Sequence, residues 1–194
     1  MAKAKEVQLT NEIVLLRPYR HGDIERFYEA VRESIAELSL WMPWCHAGYS
    51  MEESRAWVES RAEAWAKEIE YGFAITDCKD SILLGGCSLY QIDGVRLLAN
   101  LGYWVRSSLT KQGVASSAAL LAARFGFDEL KLNRIEIVAA TGNKASQRVA
   151  EKMGAVREGI MRSRLVVHDK VYDAVLFSLI PPDLDSKGIS AGDT

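Results

Sequence analysis

The chain has 194 residues, 48% of them hydrophobic and 26% charged, which is enough for one globular domain with an apolar core. Twenty-four basic and twenty-six acidic residues leave a formal charge of −2, which excludes a general electrostatic footprint for nucleic acid. No apolar segment has the length of a signal peptide core or a bilayer span. We therefore expect a cytoplasmic protein with neither a nucleic acid nor a membrane as its partner.

The cysteines and histidines lack the spacings of a metal site. The cysteines, Cys45, Cys78 and Cys87, are odd in number and contain no C-x-x-C pair. We predict reduced thiols, no disulfide framework and no metal cofactor.

The first half of the chain is predicted to form three strands and two helices. The predicted elements are a strand over 12–20, helices over 23–38 and 50–70, and antiparallel strands over 72–78 and 82–92. Ser50 and Glu53 are in capping-box register at the start of the second helix. Gly85 and Gly86 inside the last strand predict a bulge.

The second half is predicted to contain a βαβ unit. A strand over 97–105, a helix from Val114 and a strand over 134–140 follow in that order, so the two strands should be parallel. A helix over 143–153 comes next, and a hairpin turning at 168–170 ends the domain. We expect a single domain over residues 1–180 and a flexible tail over 181–194.

The loop "SSLTKQGVASSAA", residues 107 to 119, connects the strand to the helix of this unit. The backbone N–H groups at a helix start lack intrahelical partners and carry partial positive charge. Small residues such as Gly113 and Ala115 let an anion approach these groups closely. The loop predicts a phosphate-bearing ligand, although a tight turn alone would use the same residues.

Three sets of residues, with the order of elements, carry a family resemblance. They are "LGYWV" (101–105) with the glycine loop, "LNRIEIVAATGNKASQRVAEKMGAVREG" (132–159), and "LLRPYR" (15–20) with "LSLWMPWCHAGYS" (38–50). Together they resemble the GNAT superfamily of acetyl-CoA-dependent N-acetyltransferases, and its RimJ/RimL-type branch fits best. The resemblance implies an α/β (α+β) fold with a mixed, mostly antiparallel twisted sheet. It also implies a splayed strand pair that holds CoA and helices on both faces.

The resemblance also implies which residues bind acetyl-CoA. The implied cofactor-binding residues are Trp104, Val105, Lys111, Gln112, Gly113, Val114, Ala115, Ser116, Asn143 and Ser146. Thr110 stands where the family has Arg or Gln. A backbone N–H of Trp104 or Val105 would hold the oxyanion, and pantetheine would lie in the strand gap like an added strand.

By the same resemblance, Ser146 donates a proton to the leaving thiolate and Asn143 contacts the CoA arm. The alternative is a plain Asn cap followed by a first-turn serine. The general base stays open, because no spacing distinguishes Glu136, Glu158, Asn100 or Tyr103 acting through water. The segment with Trp41, Trp44 and His46 lines the acceptor cleft in the resembling proteins. A cap over the core is the other interpretation.

The leading hypothesis is acetyl transfer to a primary amine, a protein N-terminal α-amino group, by direct attack in a ternary complex. The alternatives are acetylation of a polyamine or aminoglycoside and a non-catalytic acyl-CoA-binding sensor. Acetyl-CoA and the amine are the expected partners, and a homodimer is compatible with the sequence.

Overall fold

The computed structural model describes residues 7–185, and its elements follow the predicted order. The strands are β1 (Leu9–Thr10), β2 (Leu15–Pro18), β3 (Glu70–Thr76), β4 (Leu83–Asp93), β5 (Leu98–Val105), β6 (Arg134–Ala140), β7 (Val156–Val167) and β8 (Lys170–Leu179). The helices are α1 (Ile24–Glu33), α2 (Ile35–Leu38), α3 (Met51–Ala66), α4 (Val114–Asp128), α5 (Lys144–Met153) and α6 (Pro181–Asp185).

The eight strands of this range form one sheet in the order β1-β2-β3-β4-β5-β6-β8-β7. The pairing of β5 with β6 is parallel, and the other pairings are antiparallel. The predicted mixed, mostly antiparallel fold with a central βαβ unit is therefore confirmed. A register shift between Ile75 and Thr76 leaves Leu84 unpaired beside Gly85, close to the predicted bulge.

Helices cover both faces of the sheet. On one face, Ala122 of α4 and Met153 of α5 are fully buried in a core with Ile135 and Phe177. On the other face, Phe27 of α1 belongs to a second core that includes α3. The small alanines of α4 let this helix lie close to the strands, since a short side chain shortens the distance between packed elements.

A buried guanidinium holds the second core to the sheet. The Arg17 side chain is 1% exposed and donates two hydrogen bonds of 2.7 Å to Asp23, directly before α1. It also bonds Asp80 in the β3–β4 turn at 2.7 and 2.8 Å. Charged bidentate pairs of this kind fix geometry strongly. The cluster therefore sets the position of α1 relative to β2 and β3.

One predicted helix is divided in the structure, and the predicted tail begins with a short helix. The helix predicted over 23–38 is interrupted at Ser34, which is fully buried and accepts a hydrogen bond from the Ser107 N–H. The tail predicted to be flexible from residue 181 begins as α6, and Leu184 packs into the core at 8% exposure. The flexibility predicted for the tail stays a prediction, and residues 186–194 lie outside the described range.

Within residues 7–185, no helix combines the length and the apolar character needed to cross a membrane. The cysteines are free, with Cys45 and Cys87 buried and Cys78 exposed. No cluster of metal-ligating side chains occurs in the same range.

Candidate active site

The parallel strands β5 and β6 separate after a short paired segment. They pair over Leu98–Asn100 and Arg134–Glu136. Beyond Asn100, β5 continues to Val105 with β4 as its paired neighbour, and β6 continues with β8. The helices α4 and α5 follow these two strands along the chain. A wedge-shaped gap therefore opens toward the start of both helices.

The hydrogen-bond ladder decides which backbone groups face this gap. Arg106 N–H donates to the Leu84 carbonyl at 2.8 Å, so alternate residues of β5 bond to β4. Trp104 belongs to that bonded set. Tyr103 and Val105 direct their N–H and C=O groups toward the gap. Of the two predicted oxyanion donors, only the Val105 N–H points into the space where an acyl group could lie.

The N-terminus of α4 has no side-chain cap. Gly113 occupies the N-cap position with φ +84°, a left-handed conformation that favours glycine. Val114, Ala115 and Ser116 form the first turn, and the Ser116 hydroxyl bonds back to the Gly113 carbonyl at 3.0 Å. The small residues and the uncapped start give main-chain donors that an anion can reach.

The loop before α4 is attached to α1 and α2. Besides the Ser107–Ser34 bond, the Ser108 hydroxyl donates to Glu33 at 2.5 Å, and this bond lowers the pKa of Glu33. Thr110 donates to the Ser107 carbonyl at 3.0 Å. Thr110 therefore stabilises the turn itself. Lys111 and Gln112 are exposed on the same loop.

The N-terminus of α5 is capped, and it joins two predicted site residues. Asn143 accepts a hydrogen bond from the Ser146 N–H at 3.0 Å, which confirms the predicted cap. The Ser146 hydroxyl donates to the Tyr103 oxygen at 3.3 Å, and the Tyr103 hydroxyl donates to the Ser146 carbonyl at 2.9 Å. Burial raises the pKa of Tyr103, so its hydroxyl stays protonated near neutral pH. These bonds connect β5 to α5 across the gap.

The two carboxylates considered as bases near β6 bind a guanidinium instead. Arg134 donates to Glu136 at 2.9 Å and to Glu158 at 2.6 and 2.7 Å. Hydrogen bonds from Arg134 and Ser178 lower the pKa of Glu158 to about 2, which makes it a very weak base. Asn100, the third possibility, donates to Gln91 at 2.9 Å.

A cavity of about 610 Å³ lies beside β3, β4 and β5, on the sheet face covered by α1 and α3. Aromatic rings dominate its wall: Tyr19, Phe27, Trp44, Trp57, Tyr90, Trp104. Glu53, Glu70 and Ser88 supply polar groups. Sequence reasoning missed Ser88 and Tyr90, although their period-two spacing on β4 places them on one face with Gly86.

The acceptor-cleft residues predicted from the "LWMPWCHAGYS" segment separate in the structure. Trp44 lines the cavity. Trp41 packs against Tyr172 with ring centroids 6.2 Å apart and covers Gly142, where an added Cβ would lie 2.9 Å from the ring. His46 bonds Glu53 at 2.8 Å, and this bond lowers the pKa of Glu53. Trp41 and His46 are therefore not part of the cavity wall, and Glu136 is not either.

A split parallel strand pair, an uncapped helix start at its open end and an adjoining cavity define an acyltransferase site of the GNAT type. The family model described as "Acetyltransferase (GNAT) domain" matches residues 14–156. The chain belongs to this family and is an acetyl-CoA-dependent N-acetyltransferase.

Similar proteins extend over nearly the whole chain. YdaF of Bacillus subtilis (strain 168) is 30% identical over 88% of this chain and 92% of its own length. The ribosomal-protein-serine acetyltransferase of Escherichia coli (strain K12) is 23% identical over 88% and 94%. The structure of RimL, a ribosomal L7/L12 alpha-N-protein acetyltransferase, in complex with coenzyme A superposes with a TM-score of 0.83. It is 20% identical and covers 92% of this chain and all of its own.

Proposed function

We propose that the protein acetylates a protein N-terminal α-amino group by direct attack in a ternary complex. The observation that carries this proposal is the position of the strand gap, which can be approached from both faces of the sheet. The gap-facing backbone of Val105 lies between the cavity on one face of the sheet and the Tyr103–Ser146 pair on the other. An amine and a leaving thiolate therefore have separate approaches to one acyl group.

In this proposal, the main-chain donors at the start of α4 bind the CoA pyrophosphate, with Gly113 and Ala115 leaving room for it. The gap-facing backbone of Tyr103 and Val105 pairs with the pantetheine amides. The Val105 N–H stabilises the charge that develops on the carbonyl oxygen. Lys111 and Gln112 border the phosphates as exposed residues of the loop.

The transfer forms the amine N–C bond and breaks the C–S bond. The amine loses one proton to water in the cavity, whose wall includes the Glu53 carboxylate, while Glu70 is paired with Arg61 at 2.7 Å. The sulfur gains one proton. Ser146 gives its hydroxyl proton to the sulfur as the charge appears, and it regains a proton from the Tyr103 hydroxyl, which turns from the Ser146 carbonyl to the Ser146 hydroxyl oxygen and is reprotonated by water.

The protein acceptor is supported by the names of the relatives that cover most of the chain, two of which act on ribosomal proteins. The small-amine alternative keeps one observation in its favour, since a cavity of about 610 Å³ is of the size that holds a small molecule.

The test is an acetyl-CoA consumption assay with N-terminal peptides, polyamines and aminoglycosides as acceptors. We expect peptide turnover, with mass spectrometry placing the acetyl group on the α-amino nitrogen. Turnover of polyamines or aminoglycosides alone would replace the proposed acceptor. Binding of acetyl-CoA without turnover of any amine would favour the sensor hypothesis.

A further inference from the structure

The floor of the cavity is a trench made of small residues. Ser88 and Gly102 lie directly opposite each other on β4 and β5 and line the cavity, whereas the Arg61 side chain covers Gly72, the next residue across on β3. One strand spacing gives the trench of Ser88 and Gly102 a length of about 5 Å. It ends at Gly102, on the strand that borders the gap. The floor therefore leads from the interior of the cavity to the position proposed for the acetyl group.

Large aromatic rings stand on one side of the trench. Phe27 contacts Trp104 edge-on with ring centroids 5.5 Å apart and stacks with Trp57 at 6.4 Å. Trp44 continues the wall, 6.1 Å from Trp104. On the other side, the ring of Tyr90 lies next to Gly102. These rings make the cavity wall favourable to a flat apolar group, because aromatic pairs gain from stacked and edge-on contacts.

The Tyr19 hydroxyl lies above Gly86 at the floor of the cavity. Tyr19 is 9% exposed and lines the cavity. A Cβ added to Gly86 would clash with both this hydroxyl and the Trp104 indole Nε1. Two polar groups therefore converge over Gly86. Burial raises the pKa of Tyr19, so the hydroxyl remains a donor near neutral pH.

We infer that the acceptor is a primary amine that carries an aromatic ring. This inference rests on the proposed acetyl transfer and names the acceptor of the same site. The ring lies in the trench against Trp44 and Trp104, and the amine reaches the gap at Gly102. Tyr19 and the Trp104 Nε1 bind an oxygen of the acceptor, such as the first peptide carbonyl. A small first residue, serine or alanine, would leave most of the trench empty.

The decisive experiment compares two peptides that differ only in their first residue, phenylalanine or alanine. A second matched pair, 2-phenylethylamine and n-butylamine, tests the same contrast without a peptide. We expect kcat/KM to be higher for the aromatic member of each pair, on the order of tenfold or more for a buried ring. Equal turnover, or faster turnover of the alanine peptide, would overturn the inference while leaving acetyl transfer intact.

Substitutions at Ser88 test the trench. Ser88→Val fills its floor, so the preference for the aromatic member should disappear, whereas the control Ser88→Ala keeps the floor open and should keep the preference. Loss of preference in both variants, or in neither, would contradict the trench. If Ser88→Val fails to fold, the comparison of acceptors with the unaltered protein still decides.

Tyr19→Phe tests the oxygen-binding position and retains the ring that contacts Phe27. We expect KM to rise more for the phenylalanine peptide than for 2-phenylethylamine, which has no oxygen. An equal rise for both acceptors would contradict this role of the hydroxyl.

Binding separates the inference from the proposed function. Tryptophan fluorescence of the full chain with CoA should respond to 2-phenylethylamine at lower concentration than to n-butylamine, because Trp57 and Trp104 line the cavity. If no amine is acetylated, acetyl transfer fails. The fluorescence comparison then supports or overturns the aromatic site independently.

Discussion

The two helices that begin beside the gap start in opposite ways. At α5, the Asn143 side chain bonds the Ser146 N–H, so the chain satisfies its own donor. At α4, Gly113 has no side chain to offer and adopts a left-handed conformation. The difference shows that two similar helix starts beside one gap can have different roles. An unsatisfied helix start is available to an anion, while a capped start holds a side chain in a fixed position.

The largest expected effect concerns the capped helix. Ser146→Ala should lower kcat on the order of tenfold to a thousandfold and leave the acetyl-CoA KM nearly unchanged, because the hydroxyl acts mainly as thiolate charge appears. Steady-state kinetics measures both constants, under conditions in which the chemical step has been shown to limit the rate. Thr110→Ala, which removes a hydroxyl from the other helix's loop, is the control. Wild-type turnover by Ser146→Ala would transfer the proton-donor role to Tyr103 or water.

Acetyl-CoA itself should stabilise the fold. A ligand that binds only the native state at a hundred times its Kd adds about 2.7 kcal/mol to the free energy of unfolding. Thermal unfolding with and without acetyl-CoA measures this effect, and adenosine is the control that lacks phosphates and pantetheine. No shift at millimolar acetyl-CoA would contradict the binding roles given to both helix starts.

Adding charge at the uncapped start should weaken CoA binding. Gly113→Asp places a carboxylate beside the phosphate position, and like charges a few ångströms apart should reduce affinity on the order of tenfold to a hundredfold. Gly113→Asn is the matched control, since Asn and Asp both tolerate left-handed backbone. Calorimetry at low and high salt should show the difference between the variants shrinking as screening increases. Equal affinities would mean that the loop is only a turn.

Removing the cap of α5 should have the smallest effect. Asn143→Ala is expected to cost about 1 kcal/mol of stability, through the lost bond to the Ser146 N–H. The acetyl-CoA KM should rise as well if Asn143 contacts the CoA arm. Denaturant unfolding measures the loss of stability, and steady-state kinetics measures the KM for acetyl-CoA. Asn143→Ser retains capping ability and should recover the stability. A KM for acetyl-CoA that stays high in this variant would show that the CoA contact of Asn143 is distinct from its role as a helix cap.

Local signals explain what could be predicted. The capping box of Ser50 and Glu53 and the cap at Asn143 each depend on a few neighbouring residues, so the pattern alone indicates them. The β5–α4–β6 unit follows from element order and the handedness of crossovers. The acetyltransferase family followed from the resemblance, and the family model confirmed it.

Other features depend on contacts between distant residues. The sequence offered Glu136 as a base, but Arg134 and the strand face on which both lie place it in an ion pair. Trp41 and Trp44 are three residues apart, yet only Trp44 reaches the cavity, because Trp41 covers Gly142 on the far side of the gap. Neither outcome has a signal within a short window of sequence.

The sequence by itself therefore determined most of the elements, the caps at Ser50 and Asn143 and the small-residue loop before α4, because hydrogen bonds within a turn and hydrophobic periodicity are local. Tertiary structure decided the strand gap, the Val105 N–H direction and the Tyr103–Ser146 pair, because these depend on strand register and separation. It also placed Ser88 and Gly102 side by side at the floor of the cavity. A shift of one residue in register would turn Ser88 to the opposite face of the sheet.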